Sequence, residues 1–266
     1  SRDRAPSAAP ARPARTLCVI PARLGATRLP RKPLRLLAGV PLIVRVMERV
    51  AALKVADRIV VATDSTQVAD EVHEAGGIAV MTSARHPSGT DRVAEVAALA
   101  AHAEFDVVLN VQGDEPFVSG AALRGAIAQV RVHGRPVGTV AARAGREVLL
   151  RPDVVKVVAA DDGTAMYFSR APIPFLRDDH DVARRDARVL HHVGVYAYTP
   201  AALVRWVALP PHPLEQIERL EQLRPLAAGM RIGVAVIDGP LRGGIDTEAD
   251  LAQANTDWMT LTVNHS

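Results

Sequence analysis

One cysteine in 266 residues excludes an intramolecular disulfide framework. Its place inside an apolar run makes Cys18 a small core residue of a reducing compartment. Aromatic residues are only 3%, so a core must be built from the valine, leucine, isoleucine and alanine that dominate the 48% hydrophobic fraction. No apolar run reaches membrane-spanning length, and the apolar stretch of a secretory signal is missing too. The body of the chain also lacks an excess of either charge. Residues 1–15 carry Arg2, Arg4, Arg12 and Arg15 against Asp3, which accounts for the whole net charge of +3. A protein-wide basic field for nucleic acid is therefore excluded. The Pro-, Ala- and Arg-rich residues 1–15 read as a disordered leader. Residues 16–266 read as one soluble domain, expected in the cytoplasm with no membrane insertion.

What is present is an alternation. Thr16–Ala22, Arg58–Thr63, Ile78–Thr82 and Asp106–Gln112 are rich in valine and isoleucine and too short for helices, so they predict buried strands. Pro41–Lys54, Ser65–Ala75 and Gly89–His102 between them predict helices, with Ser65 and Ser88 as N-caps and Gly76–Gly77 as a stop. This order predicts an α/β fold with a mostly parallel, Rossmann-like sheet. Further on, Val137–Arg143, Val154–Ala159, Ala165–Arg170, Val189–Tyr198 and Arg231–Ile237 read as strands. Pro213–Ala228 and Thr247–Thr260 read as helices, and Pro172–Arg188 as an exposed loop. A smaller antiparallel extension is expected over about residues 160–230.

Ligands of open α/β sheets bind beyond the carboxyl ends of strands. The segment leaving the first strand, VIPARLGATRLPRKPL, holds Arg23, Arg28, Arg31 and Lys32. It has neither the three glycines of a dinucleotide fingerprint nor the Gly-Lys-Ser/Thr of a P-loop. A nicotinamide oxidoreductase is thereby disfavoured, and no Ser-His-Asp or zinc-spaced His/Cys pattern competes. A cationic loop at this edge suits a polyphosphate, although a merely solvated basic loop has the same composition. Lys32 is one of only three lysines, a hint that a compact ammonium is wanted there.

Along the chain follow HPSGTDR (His86–Arg92), NVQGDEP (Asn110–Pro116), YFSRAPIP (Tyr167–Pro174), HHVGVYAY (His191–Tyr198), PLEQIERLEQLR (Pro213–Arg224) and GGIDTEADL (Gly243–Leu251). With the first loop and VATDS (Val61–Ser65), these segments resemble, in order, the sugar nucleotidyltransferases. They are most similar to the cytidylyltransferases that activate the acid sugar 3-deoxy-manno-octulosonate (KDO). The resemblance implies transfer of CMP from CTP to KDO with release of pyrophosphate, for lipopolysaccharide synthesis. The alternatives are a cytidylyltransferase for 8-amino-KDO or sialic acid, or an inactive nucleotide-binding relative. It also implies a homodimer, with CTP and KDO as its small-molecule partners.

The resemblance assigns residues as well. Pro21, Ala22, Arg23 and Lys32 face the nucleotide, with Arg85 and Ser88 around base and ribose. Arg23, Lys32 and Asp114 carry the chemistry. Asp114 and Asp246 bind Mg2+, although Asp246 also reads as an ordinary helix N-cap before its DTEAD run. Gln112 meets nucleotide or sugar. Arg170 pairs with the sugar's carboxylate or with the charged loop beyond it. His192 and Tyr196 share a strand face roughly 13 Å apart, at about 3.3 Å per residue, and line an elongated sugar site. Helical spacing puts Glu221 on the inward stripe between Leu214 and Ile217, as an ion pair or a sugar ligand beside Gln222. At Arg31 the family usually has glycine, so this chain adds a charge near the phosphates and restricts the loop.

Overall fold

The short Val/Ile-rich runs pair into one large sheet. The computed structural model describes residues 13–25, 28–239 and 241–263, so residues 1–12 of the expected leader lie outside the described residues. The strands are β1 (Thr16–Ala22), β2 (Leu36–Leu37), β3 (Val40–Pro41), β4 (Arg58–Thr63), β5 (Ala79–Met81) and β6 (Val107–Asn110). There follow β7 (Val137–Arg143), β8 (Lys156–Ala159), β9 (Ala165–Ser169), β10 (Leu190–Tyr198) and β11 (Ile232–Ile237). The helices are α1 (Leu42–Leu53), α2 (Thr66–Glu74), α3 (Gly89–Ala97), α4 (Gly120–Arg131) and α5 (Val182–Asp186). The rest are α6 (Pro200–Ala208), α7 (Pro213–Glu218), α8 (Leu223–Ala227) and α9 (Glu248–Val263).

The main sheet runs β11-β7-β10-β6-β1-β4-β5. All its neighbours are parallel except β10, which is antiparallel to β6 and β7. Side chains of a strand alternate between faces. Cys18 and Ile20 of β1 accordingly enter the core under α1 and α4, whereas Leu17 and Val19 enter the core shared with α3 and α6. Both faces are covered, which is why β1 is apolar without alternation. Ser65 and Ser88 cap α2 and α3 by accepting from Val68 N and Asp91 N.

The second half departs from expectation in four places. Two helices, α4 and α6, have no counterpart in the sequence reading. The expected helix from Pro213 to Ala228 is two short ones, because Arg219 adopts a left-handed φ of 55° and ends α7. Leu214 and Ile217 are exposed there, so the inferred inward stripe does not exist. Part of Pro172–Arg188 is helical, as α5. Finally, β10 belongs to the main sheet, leaving the β8–β9 hairpin as the antiparallel addition.

That hairpin is pinned from inside. Lys156 is fully buried, and its ammonium donates to the carbonyls of Arg151 (3.0 Å), Val154 (2.7 Å) and Arg170 (2.5 Å). Burial lowers its pKa, but all three protons are used. Replacing Lys156 with methionine strands three carbonyls, and a loss of about 3 kcal/mol is expected in urea unfolding. A change within about 0.5 kcal/mol, the range of an ordinary surface substitution, would refute that role.

Candidate active site

Because β1 and β6 are adjacent and parallel, the loops that follow them leave the sheet at the same edge. Lys32 opens a 3-10 turn, Lys32–Leu34, after the first loop. Its Nζ lies 2.6 Å from Asp114 Oδ2 and 2.8 Å from Asp246 Oδ1. Asp246 arrives from the far side of the sheet, after β11. The approach is close at Gly244, where a Cβ would come into ordinary contact, 3.4 Å, with both the backbone and side-chain oxygens of Asp114. Ile245 N then donates to Asp114 O at 2.9 Å and fixes the crossing.

Asp246 is not the cap of α9. Thr247 Oγ1 accepts from Asp250 N, and the Asp250 carboxylate accepts from Thr247 N and Asp246 N. The reciprocal pair does the capping and leaves the Asp246 carboxylate free to face Lys32 and Arg28, the latter at 3.0 Å. Burial alone would depress the Lys32 ammonium, but Asp114 and then Asp246 outweigh it, and its pKa rises above the ordinary lysine value.

Two carboxylates drawn onto one cation make an all-oxygen donor pair. Magnesium prefers oxygen and takes one or two carboxylates beside phosphate oxygens, so Asp114 and Asp246 fit it chemically. The tightest cluster of three ligand-type side chains among the described residues, Asp178, His180 and Asp181, is elsewhere and solvent-facing.

Around this point a cleft of about 400 Å³ is lined by Pro21, Ala22, Arg23, Arg28, Lys32, Ser88, Gln112 and Asp114, among others. A second cavity of about 480 Å³ carries Arg170, His192, Tyr196 and Gln222. Gln112, Asp114, Glu221 and Asp246 border both, so the two spaces adjoin. Arg85 borders neither and is exposed. Arg31 turns outward to Gln67 Oε1 (3.0 Å), so it adds no charge to the cleft. Its φ of 56° lies in the left-handed region, which gives a physical reason for glycine at this position in the family.

In the second cavity Glu221 accepts from Thr90 Oγ1 at 2.9 Å, and burial raises its pKa. Arg170 holds the carbonyls of Glu218 (2.8 Å, from Nε) and Pro152 (2.8 Å, from Nη1) instead of the acidic loop beyond it. The rings of His192 and Tyr196 are 5.5 Å apart, in contact instead of at opposite ends of a site. The register of β10 slips between these residues, which brings them together. Sequence reasoning counted Arg28 among the loop's cations without assigning it a site role, and it assigned none to Glu115. Glu115 borders the second cavity, and burial, then Asp114 and Asp246, push its carboxyl up to about 8. Its signal was its place directly after Asp114 in NVQGDEP.

Burial, and secondarily His191, drive the His192 imidazole down to about 3. An unfolded histidine titrates near 6.5, so between these values the unfolded chain binds the extra proton and stability falls with falling pH. From pH 7 to pH 5 the His192 contribution to stability is expected to drop by about 2 kcal/mol. Urea unfolding of wild type and His192→Asn at both pH values measures it. A wild-type pH dependence that the substitution leaves intact would assign the loss elsewhere.

Residues 17–232 match the family model described as Cytidylyltransferase. The chain is 60% identical over 250 residues to the 3-deoxy-manno-octulosonate cytidylyltransferase of Gemmatimonas aurantiaca, covering 94% of this chain and 96% of the relative. It is 45% identical over 246 residues to the enzyme of the same name from Rhodopseudomonas palustris, covering 90% and 96%. A solved structure of CMP:2-keto-3-deoxy-manno-octonic acid synthetase complexed with CTP superposes with a TM-score of 0.85. That match has 37% identity and covers 93% of this chain and 99% of the other. The fold is shared more widely. At 17% identity, 4-diphosphocytidyl-2C-methyl-D-erythritol synthase from Anaerococcus prevotii aligns with a TM-score of 0.60.

Proposed function

The chain belongs to the cytidylyltransferase family, and on that premise we propose that it transfers CMP from CTP to 3-deoxy-D-manno-octulosonate, releasing pyrophosphate. The observation that carries this reading is the meeting of Lys32, Asp114 and Asp246 where the two cavities adjoin. A nucleotide in the first and an acid sugar in the second would bring a sugar hydroxyl beside the α-phosphate.

In this reading the hydroxyl oxygen bonds the α-phosphorus as the α–β phosphoanhydride bond breaks, and pyrophosphate leaves. Lys32, Arg23 and Arg28 offset the charge on the phosphate oxygens and the leaving group. Asp114 and Asp246 would hold Mg2+, which when bound supplies Lewis-acid polarisation of the phosphate oxygens. Gln112 stands between the two substrates. Arg170 receives the sugar's carboxylate, while Glu221, Gln222, His192 and Tyr196 meet its hydroxyls. The second cavity is lined by the rings of His192, Tyr196 and Trp206 and bordered by the carboxylates of Asp114, Glu115, Glu221 and Asp246, which suits a polyhydroxy acid better than a second phosphate. Supply of activated sugar for lipopolysaccharide, in the cytoplasm, is the role that follows. No helix among the described residues is long and apolar enough to cross a membrane.

A homodimer is part of the proposal. Phe175 and Leu150, 82% and 84% exposed, lie beside the hairpin and suit an apolar contact with a second copy. Release of pyrophosphate from CTP, measured with KDO, 8-amino-KDO, sialic acid and neutral hexose phosphates, tests the activity. KDO should be the preferred acceptor. Turnover confined to hexose phosphates, or none with any acceptor, would overturn the reading.

A further inference from the structure

Against β7, strand β10 pairs Val193 with Val140 and then Tyr196 with Thr139, so Gly194 and Val195 are passed over. Pairing with β6 begins only at Tyr196, opposite Asn110. The carbonyl of Val195 thus lies outside both sets of paired residues. A side chain takes it up instead. Thr139 Oγ1, fully buried, lies 2.8 Å from Val195 O and 2.9 Å from His192 Nε2.

A threonine hydroxyl has one proton and two lone pairs. With the proton directed to Val195 O, its oxygen is an acceptor toward the imidazole. His192 Nε2 must then carry the hydrogen and donate. Burial keeps the ring neutral, so no second proton is available and Nδ1 retains its lone pair. Among the described residues none bonds Nδ1, and the ring borders the second cavity. Phe168 meets the ring edge-on with centroids 4.9 Å apart, and the tilted Tyr196 ring lies 5.5 Å away, which restricts its rotation. Thr139 itself borders neither cavity, so whatever it contributes passes through the histidine.

We propose that Thr139 is a positioning residue of the sugar site, fixing His192 as the Nε2–H tautomer so that Nδ1 accepts a hydrogen bond from a sugar hydroxyl. The proposal rests on reading the second cavity as that site. Without the threonine hydroxyl the two tautomers compete, and an Nδ1–H would meet the sugar hydroxyl as a donor, leaving the hydroxyl's own proton without its acceptor. The bond to the ring would then run the other way, and the hydroxyl's orientation would no longer be fixed.

Long-range proton–nitrogen spectra of the 15N-histidine-labelled protein test the tautomer directly. Wild type and Thr139→Ser should show His192 protonated at Nε2, and Thr139→Val should lose that preference. In steady-state assays Thr139→Val should raise KM for KDO by about tenfold, the worth of one hydrogen bond, with Thr139→Ser close to wild type. KM for CTP and kcat should stay within about twofold, because Thr139 touches neither substrate. An Nδ1–H tautomer in wild type overturns the proposal, whether or not the valine variant folds. So does an unchanged KM for KDO in a folded Thr139→Val. His192→Phe separates this failure from failure of the broader reading. If it raises KM for KDO while Thr139→Val does not, only the tautomer argument falls. If neither does, the second cavity is not the sugar site.

Discussion

Replacing Lys32 with methionine should lower kcat for CMP transfer by roughly a thousandfold, the scale of losing a main electrostatic contact to a transferring phosphoryl group. Methionine reproduces the unbranched stem as far as Cε, so the change removes the charged Nζ and its hydrogen bonds while keeping the apolar stem. The side chain is 17% exposed, and its ammonium sits between Asp114 and Asp246, at 2.6 and 2.8 Å. Its raised pKa keeps it charged throughout the working range. Folding should hardly notice, because both carboxylates retain access to water; the cost in stability should be about 1 kcal/mol. Lys32→Arg is not a rescue. A planar guanidinium is larger and directs its donors in a fixed fork, whereas the compact ammonium turns its three donors to two carboxylates and the nucleotide's oxygens. Turnover should stay at least about a hundredfold down in that variant. Pyrophosphate release beside a thermal melt reads both quantities. A methionine variant that keeps more than about a tenth of wild-type kcat would remove Lys32 from the chemistry, since that drop corresponds to only about 1.4 kcal/mol of barrier.

The edge on which this depends was legible early. Runs such as TLCVIPA and VVLN are buried on both sides, so composition alone marks them as parallel strands, and the loop and the GDE turn that follow must share an edge. Asp246 was not legible that way. It lies 214 positions from Lys32 and follows β11, at the opposite end of the strand order from β5. Only the resemblance brought it in, and local physics argued for a helix cap. That local argument identified the right device but the wrong residue, since Thr247 and Asp250 cap each other.

Other misses have equally specific causes. Helix α4 begins at Gly120 and contains Gly125, and two glycines with short alanines blur the periodicity that marks a helix. Nothing in ERLEQ announces a break, yet Arg219 turns left-handed and Glu221 reaches its half-buried place from a turn instead of a helical stripe. The contact of His192 with Tyr196 depends on a strand irregularity, and a period-two reading cannot foresee a skipped pair. In each case the residue type was informative and its backbone was decided by tertiary packing.

Asp246→Asn should separate the carboxylate's charge from its place in the fold. The amide is isosteric, the backbone N–H still reaches Asp250, and Thr247 still caps α9. The lost pairs with Lys32 and Arg28 involve a carboxylate 40% exposed, so solvent has already discounted them and stability should change by less than about 1 kcal/mol. Turnover is a different matter. If Asp246 contributes one of two carboxylates to a magnesium site, the Mg2+ concentration giving half-maximal rate should rise by about ten- to a hundredfold, and kcat at saturating metal should fall by at least tenfold. Asp250→Asn is the necessary contrast. It weakens the cap that holds the segment and should cost about 1 kcal/mol while leaving the Mg2+ requirement near wild type. Initial rates across a Mg2+ titration, paired with urea unfolding of both variants, therefore give a crossed pattern if the two acids have different duties. Were Asp250→Asn to shift the metal requirement as far as Asp246→Asn, the order of the loop and not the charge of Asp246 would govern metal binding. Full rate with an unaltered requirement in Asp246→Asn would leave Asp114 without its partner and dismiss the two-carboxylate site.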